Sequence, residues 1–133
     1  MKKLLCSLFA LSAVSTAMAQ EVNIKLLGTS DVHGRIVPWS YGADVEDKSG
    51  SYAQIATYVK DVRKNNKNVV LVDVGDAIQD NQVDVFAKDK KYYKDHPIPK
   101  VLNEMKYDVF VLGNHEFNFG MKALDEILKD IKA

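Results

Sequence analysis

Three short apolar runs, each stopped by a glycine and followed by polar side chains, divide this chain, and stretches of helical period lie between and after them. Residues 21–27 carry Val22, Ile24, Leu26 and Leu27, alternating and then thickening, which predicts a first strand ending at Gly28. Residues 69–74 are apolar except for Asp73 and predict a second strand covered on both faces. Residues 107–112 predict a third, running into Gly113. Ser51 can cap a helix whose apolar side is Tyr52, Ile55, Ala56, Val59 and Val62, ended by Asn65-Asn66-Lys67-Asn68. Pro97 and Pro99 bracket the start of another, with Ile98, Val101, Leu102 and Met105 on one face. Met121, Leu124, Ile127, Leu128 and Ile131 give a final amphipathic helix. Residues 35–50 hold Pro38, Gly42 and Gly50 without periodicity and predict a long loop. Its Trp39 and Tyr41 either stack on a base or, the commoner use, cap the core beneath the loop. Residues 77–96 are hardest to assign: Val83, Val85 and Phe86 hint at a helical turn, and residues 88–94 form a solvated charged run.

Strands alternating with helices predict an α/β fold, a parallel β-α-β-α-β-α layer with right-handed crossovers. Ligands of such sheets sit outside the carboxyl ends of the strands. All three polar clusters fall there: Asp31-Val32-His33, Gly75-Asp76 and Gly113-Asn114-His115-Glu116. Each alone fits an ordinary turn. Together they offer two carboxylates, two imidazoles and a side-chain amide on one rim. That donor set suits zinc, manganese, iron or magnesium rather than soft copper. A lone carboxylate on its own strand end, Asp76, is placed to bridge two ions, and ions about 3.5–4 Å apart activate water and clamp a phosphoryl group.

Composition narrows the setting. Of 133 residues, 47% are hydrophobic and 27% charged, which is a globular balance and leaves no place for disordered or collagen-like classes. The start is different: Met1-Lys2-Lys3, an apolar run from Leu4 to Val14, then Ala17-Met18-Ala19 before Gln20. This predicts a signal peptide over residues 1–19, cleaved near Ala19-Gln20, and a secreted protein, periplasmic or extracellular. The run is too short for a stable membrane insertion. Without Lys2 and Lys3 the 18 basic residues become 16 against 18 acidic, a net charge of −2, so no nucleic-acid polymer is expected as a partner. Cys6 is the only cysteine and leaves with the leader, which excludes disulfide and thiolate chemistry.

The three clusters resemble the first three motifs of the calcineurin-like metallophosphoesterases. Their flanks, Thr29-Ser30-Asp31-Val32-His33-Gly34, Val72-Asp73-Val74-Gly75-Asp76 and Gly113-Asn114-His115-Glu116-Phe117-Asn118-Phe119-Gly120, resemble the secreted 5′-nucleotidase and 2′,3′-cyclic-nucleotide 2′-phosphodiesterase family. Ala77-Ile78-Gln79, His96-Pro97 and Asn118 lean toward its cyclic-phosphodiesterase/3′-nucleotidase branch. The resemblance implies the first half of an αββα sandwich and hydrolysis of phosphate esters of small nucleotides, through a hydroxide activated by two divalent ions. By position it implies that Asp31 and His33 bind one metal, Asp76 bridges both and Asn114 binds the second. His115 is then the catalytic residue that stabilises the phosphoryl transition state or protonates the leaving oxygen. Asp73 either orients a ligand or bonds to backbone at its strand end.

In the 5′-nucleotidase branch an Asp orients the catalytic histidine from the position of Asn118, and an amide cannot supply that charge. The family also completes its site with a later histidine and a Gly-His-x-His motif, whereas the three histidines here end at His115. His96, beside Pro97, reads as structural or solvent-facing. Residues 20–133 are therefore expected to be the amino-terminal part of a metallophosphoesterase domain, truncated, with the first half of its site. The alternatives are a non-catalytic exported metal- or nucleotide-binding fragment and an inactive remnant, whose uncovered sheet surface would self-associate.

Overall fold

A computed structural model describes residues 21–133; the leader and its cleavage point lie outside the described residues. Strand β1 (Lys25–Thr29) is followed by two two-residue strands, β2 (Trp39–Ser40) and β3 (Val45–Glu46), and by helix α1 (Tyr52–Asn65). Strand β4 (Val69–Asp73) leads to a short helix α2 (Asp84–Lys88), a 3-10 turn (Lys90–Asp95) and helix α3 (Pro97–Met105). Strand β5 (Val109–Phe110), a second 3-10 turn (His115–Phe117) and helix α4 (Met121–Leu128) complete the chain. The main sheet has the order β1-β4-β5 and is parallel throughout, with Leu27 beside Leu71, Thr29 beside Asp73 and Asp73 beside Phe110.

Helices α1 and α3 begin where the sequence provides a side-chain cap. Ser51 has extended backbone and its hydroxyl accepts the Gln54 N–H at 3.4 Å. His96 does the same for α3: its Nδ1 accepts the Ile98 N–H at 3.4 Å, with Pro97 as the first helical residue, where a missing N–H costs nothing. Lys106, left-handed at φ 54°, closes α3. The helices bury Tyr52, Val59, Ile98, Leu102, Leu124 and Ile127 around Leu71 in one core, on the sheet face that also carries Asp73.

The opposite face is open, contrary to the expectation that the second strand is covered on both sides. Leu71 and Asp73 are fully buried, whereas Leu26, Val74, Val109 and Val111 are exposed. The first strand starts four residues late because its ladder begins with the Lys25 N–H donating to the Asn68 carbonyl at 2.9 Å, and Val22 and Ile24 precede any partner. The third is reduced to Val109–Phe110, since it meets only the last two residues of β4. In the long loop, β2 and β3 pair antiparallel, a hairpin too short to leave a periodicity. Trp39 and Tyr41 do not cap the core: they are 40% and 58% exposed.

His96 is structural, buried to 1% exposure. Burial pushes its pKa down to about 4, against the weaker opposing pull of the Ile78 backbone and Asp84. Between that value and the usual 6.5 the unfolded chain binds the proton more readily, so stability is complete above about pH 6.5 and falls as pH drops toward 4. Acidification from pH 7 to 4.5 should cost about 2–3 kcal/mol through this residue. His96→Asn keeps a capping acceptor without a titrating ring. The difference between urea midpoints at the two pH values should shrink by that amount in the variant.

Candidate active site

The three strand ends are laced together by backbone before any side chain is considered. The Asp31 N–H donates to the Gly75 carbonyl at 3.1 Å and the His33 N–H to the Asp76 carbonyl at 2.9 Å. These bonds hold the loop after β1 against the loop after β4. The loop after β4 meets the one after β5 through two glycines. A Cβ on Gly75, at φ 98°, would strike the Gly113 backbone, and one on Gly113 would strike Asp76. Only residues without a side chain allow this approach.

Three of the proposed site residues sit in the left-handed region: Asp31 at φ 54°, His33 at 50° and Asp76 at 57°. Such backbone costs about 1–2 kcal/mol per residue for most side chains, and concentrations of it mark sites where placement is paid for by the surrounding structure. Here it turns His33 and Asp76 toward His115. A ring nitrogen of His33, a carboxylate oxygen of Asp76 and a ring nitrogen of His115 all lie within 4.8 Å of one another. The His33 and His115 rings meet edge to face, 5.1 Å between centroids. Asp31 stands beside them, its Oδ1 3.9 Å from His33 Nε2. Asn114 is exposed and opens the 3-10 turn that carries His115.

Two carboxylates act from beneath. Asp73 accepts the Thr29 hydroxyl at 2.7 Å and the Tyr52 hydroxyl at 3.2 Å on Oδ2, and the Gly75 N–H at 2.9 Å on Oδ1. It touches backbone as well as side chains but no member of the cluster, and its burial raises its pKa. Burial beside Asp73 also raises the Tyr52 pKa, and burial pushes that of Tyr107 up to about 12. Both phenols therefore remain hydrogen-bond donors at neutral pH.

Glu116 has the larger task. Fully buried, it accepts the N–H groups of Asp76 at 2.8 Å, Ala77 at 2.6 Å, Ile78 at 3.3 Å and Gly113 at 2.7 Å. One side chain thus satisfies four amides and ties two ligand loops together. The sequence pattern alone gives Glu116 no role. The available signal was an acid directly after His115 with an apolar neighbour, Phe117.

His115 is fixed from two directions. Its backbone N–H donates to Asp76 Oδ1 at 2.8 Å, so the carboxylate holds the turn that presents the ring. Its Nδ1 lies 3.2 Å from Gln79 Oε1 and 3.0 Å from Asn118 Nδ2, and the Asn118 amide also donates to Gln79 Oε1. The partner at position 118 is in place, but as part of an uncharged amide pair. In the sequence Gln79 carries no signal beyond its place after Ala77-Ile78.

The donor set fits a divalent ion. Nitrogen and oxygen ligands converge, and His33 Nδ1 is buried without a hydrogen-bond partner, whereas metal-binding imidazoles ordinarily have one nitrogen on the ion and the other on a hydrogen-bond acceptor. Ligands about 2.1 Å from one ion stand up to about 4 Å apart, slightly tighter than the cluster as it stands. A parallel sheet with this cluster at the carboxyl ends of its strands defines a candidate divalent-metal centre.

Comparison with known proteins makes that class specific. The sequence profile of the calcineurin-like phosphoesterases matches residues 24–131, and the chain belongs to that family, whose members bind divalent metals. It is 39% identical over 119 residues to the trifunctional nucleotide phosphoesterase protein YfkN of Bacillus subtilis, covering 84% of this chain and 8% of that protein. It is 37% identical over 131 residues to a 2′,3′-cyclic-nucleotide 2′-phosphodiesterase/3′-nucleotidase of Haemophilus influenzae, covering 95% of this chain and 20% of the relative. The crystal structure of the Bacillus subtilis calcineurin-like phosphoesterase YfkN superposes with a TM-score of 0.75 at 36% identity, over 82% of this chain and 34% of the other. The NAD nucleotidase of Haemophilus influenzae gives 0.64 at 25% identity, over 82% and 19%. The chain therefore spans a fifth or less of the length of these two curated relatives.

Proposed function

We propose that this chain contributes to the metal-dependent hydrolysis of phosphate esters of nucleotides, of the 2′,3′-cyclic-nucleotide phosphodiesterase and 3′- or 5′-nucleotidase type, and that it carries the first half of the site. The observation behind this reading is the meeting of His33, Asp76 and His115 at the ends of three parallel strands. Asp31 and His33 would hold one ion, with Asp76 available to both and Asn114 to the second; zinc, manganese, iron and magnesium all match the donors. Bound ions supply Lewis acidity toward a phosphoryl oxygen and lower the pKa of water. The chain's own residues do the rest. Asp76 fixes the turn bearing His115, the Gln79–Asn118 amide pair holds the ring from behind, and His115 stabilises charge on the phosphoryl group or protonates the leaving oxygen.

The same reading includes export through the leader at residues 1–19; among the described residues no helix is long and apolar enough to cross a membrane. It also includes self-association through the sheet face that exposes Leu26, Val109 and Val111. Calorimetric titration with manganese should give saturable binding, and no binding at millimolar metal would overturn the assignment of the cluster. Hydrolysis of bis(4-nitrophenyl) phosphate by this chain alone should be slow. Robust turnover would overturn the proposal that the site is only half present.

A further inference from the structure

His115 is bordered at Nδ1 by two uncharged amides, with Gln79 Oε1 at 3.2 Å and Asn118 Nδ2 at 3.0 Å. The placement of both follows from local structure. Residues His115–Phe117 form a 3-10 turn, and the Asn118 N–H donates to the His115 carbonyl at 3.2 Å. Side chains three apart eclipse in such a turn, so Asn118 stands over the ring. Gln79 arrives from the other loop. The two residues before it, Ala77 and Ile78, are buried, and their N–H groups donate to Glu116 Oε1. Glu116 follows His115 directly, so one turn presents the ring and anchors the backbone that brings Gln79 to it.

The hydrogen bonds among these three side chains have a direction. The Asn118 amide donates to Gln79 Oε1, which fixes the oxygen of the Gln79 carboxamide, and not its NH2 group, on the side of the ring. An amide oxygen has two lone pairs, whereas a neutral imidazole has one N–H and one bare nitrogen. The second lone pair of Gln79 Oε1 can accept from the ring only if Nδ1 carries the proton. A bare Nδ1 would instead set its own lone pair against that oxygen at 3.2 Å. The exposed Asn118 would then have to serve both acceptors from one NH2 group.

We propose that Gln79 is the positioning residue of His115: its Oε1, held in orientation by Asn118, accepts Nδ1–H and keeps the neutral ring in the tautomer with a bare Nε2. What Nε2 then does rests on the phosphoesterase reading, but the tautomer itself is measurable without metal or substrate. Among the described residues no hydrogen bond engages Nε2. That nitrogen is therefore the one at which a proton is held or released. A ring protonated on both nitrogens gives its Nε2 proton to the leaving oxygen, the N–H bond breaking as the O–H bond forms. The neutral ring that remains keeps its Nδ1–H on Gln79 and need not turn. Asn118 acts through Gln79, by holding the oxygen toward the ring.

Side-chain 15N spectra of the full chain read the tautomer directly. They are recorded with a chelator present, at one alkaline pH where an ordinary imidazole is uncharged, and the signals missing from His115→Gln are those of His115. The wild-type ring should carry its proton on Nδ1. Gln79→Met removes the acceptor and leaves the Asn118 donor, so the ratio of Nδ1–H to Nε2–H should fall about tenfold, as the loss of one hydrogen bond allows. Gln79→Glu keeps an acceptor and should retain Nδ1–H. Asn118→Ala removes the competing donor and leaves Gln79 Oε1 free to accept, so Nδ1–H should persist there too. A Gln79 that only filled space would move stability and not the tautomer. A wild-type ring protonated on Nε2, or an unchanged ratio in Gln79→Met, would overturn the proposal. Manganese titration of the wild type keeps the two readings distinguishable: binding with an Nε2–H ring removes the Gln79 assignment alone, and an Nδ1–H ring without binding removes the metal-centre reading alone.

Discussion

Asp76→Asn is expected to lower the affinity for manganese by at least about a hundredfold while leaving the fold in place. At φ 57° position 76 disfavours most side chains, but Asn occupies the left-handed region readily, so the substitution adds little strain. The side-chain oxygen that accepts the His115 N–H at 2.8 Å survives as the amide oxygen, and the Asp76 N–H remains bonded to Glu116. What disappears is the negative charge and the second anionic oxygen, the property by which this residue could serve two ions. Losing an outer partner of a metal ligand typically costs 10–100-fold in affinity, and loss of a charged ligand itself should exceed that. Calorimetric titration gives the affinity, and a urea transition checks the fold. Asp76→Ala is the contrasting variant: it removes the charge, the bond to His115 and the left-handed tolerance together, and should also lower the urea midpoint. If Asn and wild type bind manganese equally, Asp76 is not a ligand.

The distribution of such residues explains what the sequence could and could not reveal. The parallel α/β layer was legible because β4 and the faces of α1, α3 and α4 are set by periodic burial of Leu71, Val59, Leu102 and Leu124, and periodicity is local. Three strand-end residues were legible as neighbours because sheet topology sends every strand end to the same rim, which brings His33, Asp76 and His115 together with Asp31 beside them, while Asn114 stands outside that group. Strand limits were not, because where β1 and β5 begin depends on how far β4 extends beside them. Nor were the roles of Gln79, which meets His115 across 36 positions, and Glu116, whose partners at 76, 77 and 78 lie about 40 positions away. Hydrogen bonds of that range leave no pattern in the sequence.

Glu116 should prove the most costly side chain to remove. Its two oxygens are the acceptors for four amide hydrogens, three on one loop and one on the other, and the residue has no exposed surface. Hydrogen bonds to a charged group contribute about 1.5–3 kcal/mol each, and a buried donor left unpaired costs about 1–3 kcal/mol. The four are not additive, because loops released from the carboxylate can move and recover water. A loss of about 4 kcal/mol or more is still expected for Glu116→Ala, against a total of 5–15 kcal/mol for an ordinary domain. Glu116→Gln separates charge from shape. It keeps one oxygen acceptor and replaces the other by an amide whose hydrogens face the N–H groups of Asp76 and Gly113, or of Ala77 and Ile78, so it should cost about 2–4 kcal/mol despite being isosteric. Urea unfolding of the three proteins at pH 7 gives the ranking wild type, Gln, Ala. Because Glu116 joins Gly113 to the loop of Asp76, the Gln variant should also bind manganese more weakly under conditions where it is fully folded, although the carboxylate touches none of the proposed ligand atoms. A Gln variant with wild-type stability and wild-type metal affinity would show that the glycine contact and the Asp76–His115 bond hold the two loops without it.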